Sequence, residues 1–234
     1  MGVRTKIILT ISLLHVVSVV NGQNGGTNYK EQEFVDMGLS VFWATYNIGS
    51  DSPEGYGEYY AWGETYSKSS YNRMTYRYTN EVYNYISYTK YSGESDVIQS
   101  NESKLVLSDD VAHECWGDSW RLPTKSEINE LINSCNWTFG ELNGTYGCWA
   151  VSKLNGNQIF FPFAGYMLDN EVYDVGVSGK YWSSELRPDM CFEAYQLWLS
   201  HRNTNESSEE ILSVFLSDDG YREYGRTVRA VCDK

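Results

Sequence analysis

The 234-residue chain carries 31 Asp and Glu against 18 Lys and Arg, a formal charge of −13. A field of that sign repels phosphate backbones, so nucleic acid is a poor partner and none is expected, and it disfavours attachment to anionic lipid headgroups. The length suits one domain, and an aromatic content of 15%, including 20 Tyr and 8 Trp, gives that domain ample material for a core.

Residues 1–22 read as a signal peptide. Arg4 and Lys6 form a positive n-region, 7–20 is an apolar run, and Val20-Asn21-Gly22 offers a signal peptidase site. The run is short for a bilayer span, no stop-transfer pattern follows, and no cysteine near the cleavage point suggests a lipid anchor. Removing Arg4 and Lys6 brings the mature charge to about −15. Residues 23–33, rich in Gly, Asn and Gln, read as a flexible leader, and 34–234 as a single domain without a transmembrane segment. The expected location is secreted, periplasmic or cell-surface.

Val35, Met37, Leu39, Val41, Trp43 and Thr45 alternate with other residues, which predicts a strand or a strand pair turning at Gly38. Residues 49–58 are turn-rich. Residues 65–105 hold many Tyr and few aliphatics and read as a long loop lying over the core through its tyrosines. Leu105-Val106-Leu107 and the acidic residues after it predict a short element. Following Arg121-Leu122-Pro123, Thr124 and Glu127 form a capping box, and Ile128, Leu131 and Ile132 give a helix its buried stripe to about Ser134 or Cys135. Asn143-Gly144 and Asn155-Gly156 are hairpin dipeptides, which predict a meander over 137–139, 148–152 and 158–163. A loop is expected after Tyr166. Strands follow at 181–184, 194–199, 211–216 and 227–232, separated by polar loops at 187–193 and 201–210. Few helices against many antiparallel strands is an α+β pattern.

Several blocks then resemble one family. They are Val35-Asp36-Met37-Gly38-Leu39-Ser40-Val41 with Trp43-Ala44-Thr45, and Tyr56-Gly57-Glu58-Tyr59-Tyr60-Ala61-Trp62-Gly63-Glu64. Asn47-Ile48-Gly49, Trp116, Trp120-Arg121-Leu122-Pro123-Thr124 with Glu127, Ile159-Phe160 with Pro162, Ala164-Gly165-Tyr166, Tyr181-Trp182-Ser183-Ser184 and Tyr224-Gly225-Arg226-Thr227-Val228-Arg229 complete the set. In this order, over about 34–232, they resemble the Fibrobacter succinogenes major paralogous domain, abundant in surface proteins of Bacteroidetes-type bacteria. The resemblance implies a C-type-lectin-like domain: a twisted antiparallel sheet with few helices and long loops. It implies fold more than activity. It also suggests a disulfide from the helix to the terminal strand, Cys135–Cys232.

The same fold class includes formylglycine-generating enzymes, which share the Arg-Leu-Pro-Thr helix start but need a cysteine pair in a flanking pattern that Cys191 and Cys232 lack. The calcium-binding triplets of sugar-binding C-type lectins are absent as well. Asp218-Asp219 beside Gly220 reads as a turn rather than a metal site. No nucleophile elbow, phosphate-binding Gly loop, zinc-binding His-Glu-x-x-His or cofactor motif occurs, and no metal or cofactor is expected. His113 and His201 have no legible catalytic partner. Trp43, Trp62, Trp120, Phe160 and Trp182 are expected in the core. Tyr195, Trp198, His201, Arg202, Tyr221 and Tyr224 flank the polar C-terminal loops and are the candidate ligand-binding residues. Arg226 and Arg229, three apart, should point oppositely, and with Arg121 are expected to be structural.

The resulting expectation is a non-catalytic, calcium-independent recognition module for carbohydrate or a surface protein. A structural or adhesive component of a cell-surface assembly is the alternative. An oxidase of the formylglycine-generating type, or a hydrolase, is the third reading.

Overall fold

The computed structural model describes residues 18–19, 32–82, 85–91, 102–117, 119–203 and 210–234. The expected signal peptide lies outside these residues except for Ser18–Val19 (β1), which pair antiparallel with Phe34 and Glu33, and most of the expected leader, 23–31, lies outside them too. Among the described residues no helix is long and apolar enough to cross a membrane.

β1, β2 (Glu33–Val35), β3 (Val41–Ala44), β15 (Val231–Asp233) and β6 (Trp120–Arg121) form one sheet in that order. The β2–β3 turn contains Gly38 at φ 73°, as the alternation predicts. This sheet divides the interior. Phe34, Ala44, Trp120 and Cys232 point to one core with Trp62, Tyr76, Tyr91 and Trp182. Val35, Val41, Trp43 and Val231 point to a second core with Ile128, Leu131, Phe161, Tyr181 and Leu197. Period-two alternation along short strands is what sorts them.

The helix after Pro123 is α2 (Lys125–Ser134), and its capping box forms as read: Thr124 accepts from the Glu127 N–H, and Glu127 accepts from the Thr124 N–H. Arg121 donates to both oxygens of Glu127 at 2.9 and 2.7 Å and to Asp233 at 2.7 Å, which ties the helix start to β15. The short element before it is a 3-10 turn, Leu107–Asp109, followed by α1 (Val111–Trp116), which is capped by Asp110. The meander is present as β7 (Cys135–Leu142), β8 (Thr145–Ser152) and β9 (Gln158–Pro162).

Other expectations change. The 65–105 segment does lay Tyr71, Tyr76, Tyr78, Tyr88 and Tyr91 into the core, but it also contains a hairpin of β4 (Thr79–Val82) and β5 (Tyr85–Tyr88); 92–101 lies outside the described residues. The loop expected after Tyr166 is a second hairpin, β10 (Tyr166–Leu168) with β11 (Glu171–Tyr173). β12 (Ser178–Leu186), β13 (Glu193–Asn203) and β14 (Glu210–Tyr221) form a three-stranded sheet whose strands outrun the expected spans and take in both ends of the polar loop expected at 201–210; residues 204–209 lie outside the described residues. Asp218 and Asp219 sit within β14, at a register shift against β13, instead of in a turn. Of the expected terminal strand only Val231–Asp233 pairs continuously. Arg226 and Thr227 make single bridges to Tyr60 and Tyr181.

The expected disulfide does not form: Cys135 and Cys232 are both buried thiols and are not bonded to each other. The reason is alternation: Val231 faces the core that holds Cys135, and its neighbour Cys232 therefore faces the other core, across the sheet.

A candidate ligand-binding surface

The β12–β13–β14 sheet uses its two faces differently. Tyr181, Leu197 and Leu199 fill the second core, with Leu212, Val214 and Leu216 packed against it. On the other face Trp182 and Ala194 reach the first core, but the core stops there. Beyond it, Trp198 lies between its register partners Lys180 and Phe215, and Gln196 lies between Trp182 and Ser217. Trp198 and Phe215 are in ring contact at 5.3 Å, and Phe215 is exposed.

Two chain segments lie over this face and are joined backbone to backbone. Met167 of β10 and Gly225 exchange hydrogen bonds of 2.7 and 2.9 Å. A Cβ on Gly225 would stand 2.9 Å from both Met167 and Tyr71, so the approach needs glycine. The β10–β11 hairpin is placed from its other end by Gly165, whose N–H donates to Ser178 at 2.7 Å.

This joint aligns a ladder of five aromatic rings from four stretches of sequence. Tyr173 stacks on Tyr166 at 5.6 Å, Tyr166 on Tyr224 at 6.0 Å, Tyr224 meets Tyr221 at 5.3 Å, and Tyr221 stacks on Phe192 at 6.1 Å. Tyr173 and Tyr221 are exposed, and Tyr166 and Tyr224 are half-buried. Burial raises the phenol pKa of both Tyr166 and Tyr224, which keeps their hydroxyls protonated as donors.

Two cations lie under the ladder. Lys180, 8% exposed, places Nζ 3.8 Å from the Tyr166 ring centre and 4.6 Å from that of Trp198. A carboxylate oxygen of Asp174 lies 3.9 Å from the same nitrogen. Burial first, and then the neighbouring Arg226 charge, bring the Lys180 pKa down to about 8. Arg226, 3% exposed, is stacked over Trp182 at 4.3 Å, and its Nε and Nη1 have no hydrogen-bond partner among the described residues. Desolvation lowers its pKa too, while Asp219 acts in the opposite direction. Asp219 itself is engaged by the Ser217 hydroxyl and by Gln196 Nε2 at 3.1 Å. Asp218 lies 3.7 Å from Arg187, so the two neighbouring carboxylates serve different partners.

Of the candidate residues read from sequence, Trp198, Tyr221 and Tyr224 come together here. Arg202 shares the strand face of Trp198 but is exposed further along, opposite Ile211. Tyr195 and His201 point the other way. Tyr195 lies under Lys125 of α2 at 4.7 Å, and His201 stacks on Phe139 of β7 at 3.7 Å. They occupy odd positions of β13, with Leu197 and Leu199, so the period of the strand could have separated the set. Tyr166, Tyr173, Lys180, Phe192 and Arg226 are the members that sequence reasoning missed as ligand-binding residues. Lys180 shares strand parity with Trp182, which was a usable signal. The hairpin residues carried none.

The five expected core aromatics, Trp43, Trp62, Trp120, Phe160 and Trp182, are all buried. Arg229 packs over Phe161 and donates to Asn47, Ala44, Thr45 and Phe160, on the opposite side of the chain from Arg226. No family model, curated protein or solved structure matches this chain.

Proposed function

We propose that the chain is an exported, non-catalytic recognition module of C-type-lectin-like fold that binds carbohydrate at the aromatic ladder. The observation that carries this reading is the run of five aromatic rings in consecutive contact from Tyr173 to Phe192. Tyrosine presents an apolar face that stacks on a sugar ring and a hydroxyl that bonds to it, and it loses little rotamer freedom in doing so. The supporting scaffold is rigid, because strands β10 and β12 and the Gly225 segment fix the ring positions through backbone bonds.

A glycan array with the purified protein, with and without a chelator, tests the reading. Binding is expected in both conditions, and Tyr166→Ala is expected to weaken it by about 1–3 kcal/mol, the range for truncating an aromatic side chain at an interface. Loss of binding on chelation would remove the calcium-independent part of the proposal. Binding unchanged in Tyr166→Ala and Tyr224→Ala would remove the ladder as the site.

The alternative, a structural or adhesive component of a surface assembly, is favoured by one observation. β14 ends its sheet, is 12 residues long, and exposes Ile211 and Phe215. Among the described residues β14 has a paired strand on one side only, and such an edge with apolar side chains suits strand addition by another protein. Concentration-dependent self-association abolished by Phe215→Lys would support this reading.

A further inference from the structure

We propose that Lys180, backed by Arg226, is an anion subsite beneath the aromatic ladder, and that the preferred ligand is an acidic glycan carrying a carboxylate or sulfate. The inference deepens the carbohydrate reading and rests on it for the word glycan; the anion site itself stands on the two cations.

A buried ammonium or guanidinium ordinarily has a carboxylate or several carbonyls against it, because an unpaired buried charge is costly. The protein obeys this rule elsewhere. Arg229 donates to four groups, and Arg222 is bonded to Tyr76, Tyr91, Cys191 and Lys90. Arg226 departs from it, and Lys180 meets it only in part. Among the described residues, Arg226 has aromatic contact with Trp182 and two nitrogens without a partner, and Lys180 has two aromatic faces and a carboxylate at 3.9 Å, beyond hydrogen-bond reach. Aromatic faces hold a cation in position but leave its donors unused. The groups are thus positioned without being fully neutralised, which is the arrangement a ligand anion completes.

The charged and titratable neighbours of Lys180 come from every packed element. They are Asp174 after β11, Asp219 on β14, Arg226, and the Tyr166 phenol on β10. Asp174, about half exposed, and Asp219, which takes hydrogen bonds from Ser217 and Gln196, offset part of the two cations' charge, but neither makes a hydrogen bond to them among the described residues. With its pKa at about 8, Lys180 is charged at neutral pH and loses its proton as pH rises through that value. Anion affinity should fall in the same interval.

Sodium sulfate titrated into the protein at constant ionic strength, with chloride as control, tests the site directly through the Lys180 side-chain NMR resonances. A saturable shift is expected with sulfate, together with a rise in the Lys180 pKa, fading above pH 8; the accompanying shifts of the adjacent Tyr166 and Trp198 ring resonances should be lost in Lys180→Met. In a second arm, tetragalacturonate is compared with its methyl ester, which has the same sugar rings without charge. The acid should bind about ten- to a hundredfold more tightly, which corresponds to one charge-assisted hydrogen bond. Arg226→Lys, which keeps the charge but loses the planar donor set, should retain part of that preference. Absence of any saturable sulfate response at Lys180, or equal binding of acid and ester, overturns the subsite. Sulfate binding with no glycan bound anywhere on the array supports the anion site and removes the carbohydrate reading instead.

Discussion

In the proposed anion subsite Lys180 would trade stability for position. Its folded pKa is depressed to about 8, below the ordinary lysine value, so between those two pH values the unfolded chain binds more protons. The burial penalty is therefore fully present below pH 8 and is relieved as pH rises above it. Lys180→Met, similar in length and without charge, should melt higher than the native protein at pH 7, by about 1–3 kcal/mol in stability. The rise in stability above pH 8 should vanish in the same variant, and thermal melts across pH 7–10 read both effects. A variant less stable than the native protein at pH 7 would mean that Lys180 is well satisfied by its rings. Strand parity with Trp182 was the signal for this residue, and without it a lysine just ahead of Tyr181 reads as a solvated position. Its burial is decided by Tyr166, brought in from another hairpin. Arg121 was legible for the opposite reason: its partner Glu127 is six positions away, inside a local motif. Cys135 and Cys232 show a third case, in which the parity of a terminal strand overrode a pairing suggested by family likeness.

At the scale of elements, what could be read were those whose signals are local. The α2 capping box, the Gly38 turn and the two Asn-Gly hairpins needed no distant partner. The β10–β11 hairpin was not legible, because its strands are only three residues each and are held by other parts of the chain. Gly165 is the pivot. Its φ is 67°, and a Cβ there would fall 1.9 Å from the Tyr173 carbonyl oxygen and 2.9 Å from the Val175 backbone nitrogen. Gly165→Ala should cost more than the roughly 1–2 kcal/mol of the left-handed backbone alone. It should also displace Tyr166 and Tyr173 from the ladder. A melt lowered together with lost glycan affinity is the expected outcome, and native affinity in this variant would show that the hairpin does not build the site.

Across the whole molecule, Arg222 is the fastening between the first core and the long tyrosine-rich segment. It is fully buried, donates to Tyr76, Tyr91, Cys191 and Lys90 at 2.7–2.8 Å, and lies over the rings of Trp62, Tyr76, Tyr88 and Tyr91. Arg222→Met would remove the donor that three carbonyls and the Tyr76 hydroxyl accept from, at a cost of about 3–5 kcal/mol. Limited proteolysis should then cut first within 66–91 while the β7–β9 meander resists; uniform degradation would contradict a local role. The antiparallel, helix-poor character of the fold was readable from alternation and turns, whereas the division into two cores was not, because it depends on β15 entering between β3 and β6. That insertion bears on the order of events in synthesis. Trp43 and Trp120 emerge from the ribosome long before Val231 and Cys232, their register partners on β15. Until residues 231–233 exist, the central sheet has a gap and both cores lack a shared wall. Such distant pairing delays folding. With this topology the two cores close together and not one after the other, because a single late strand completes the wall they share.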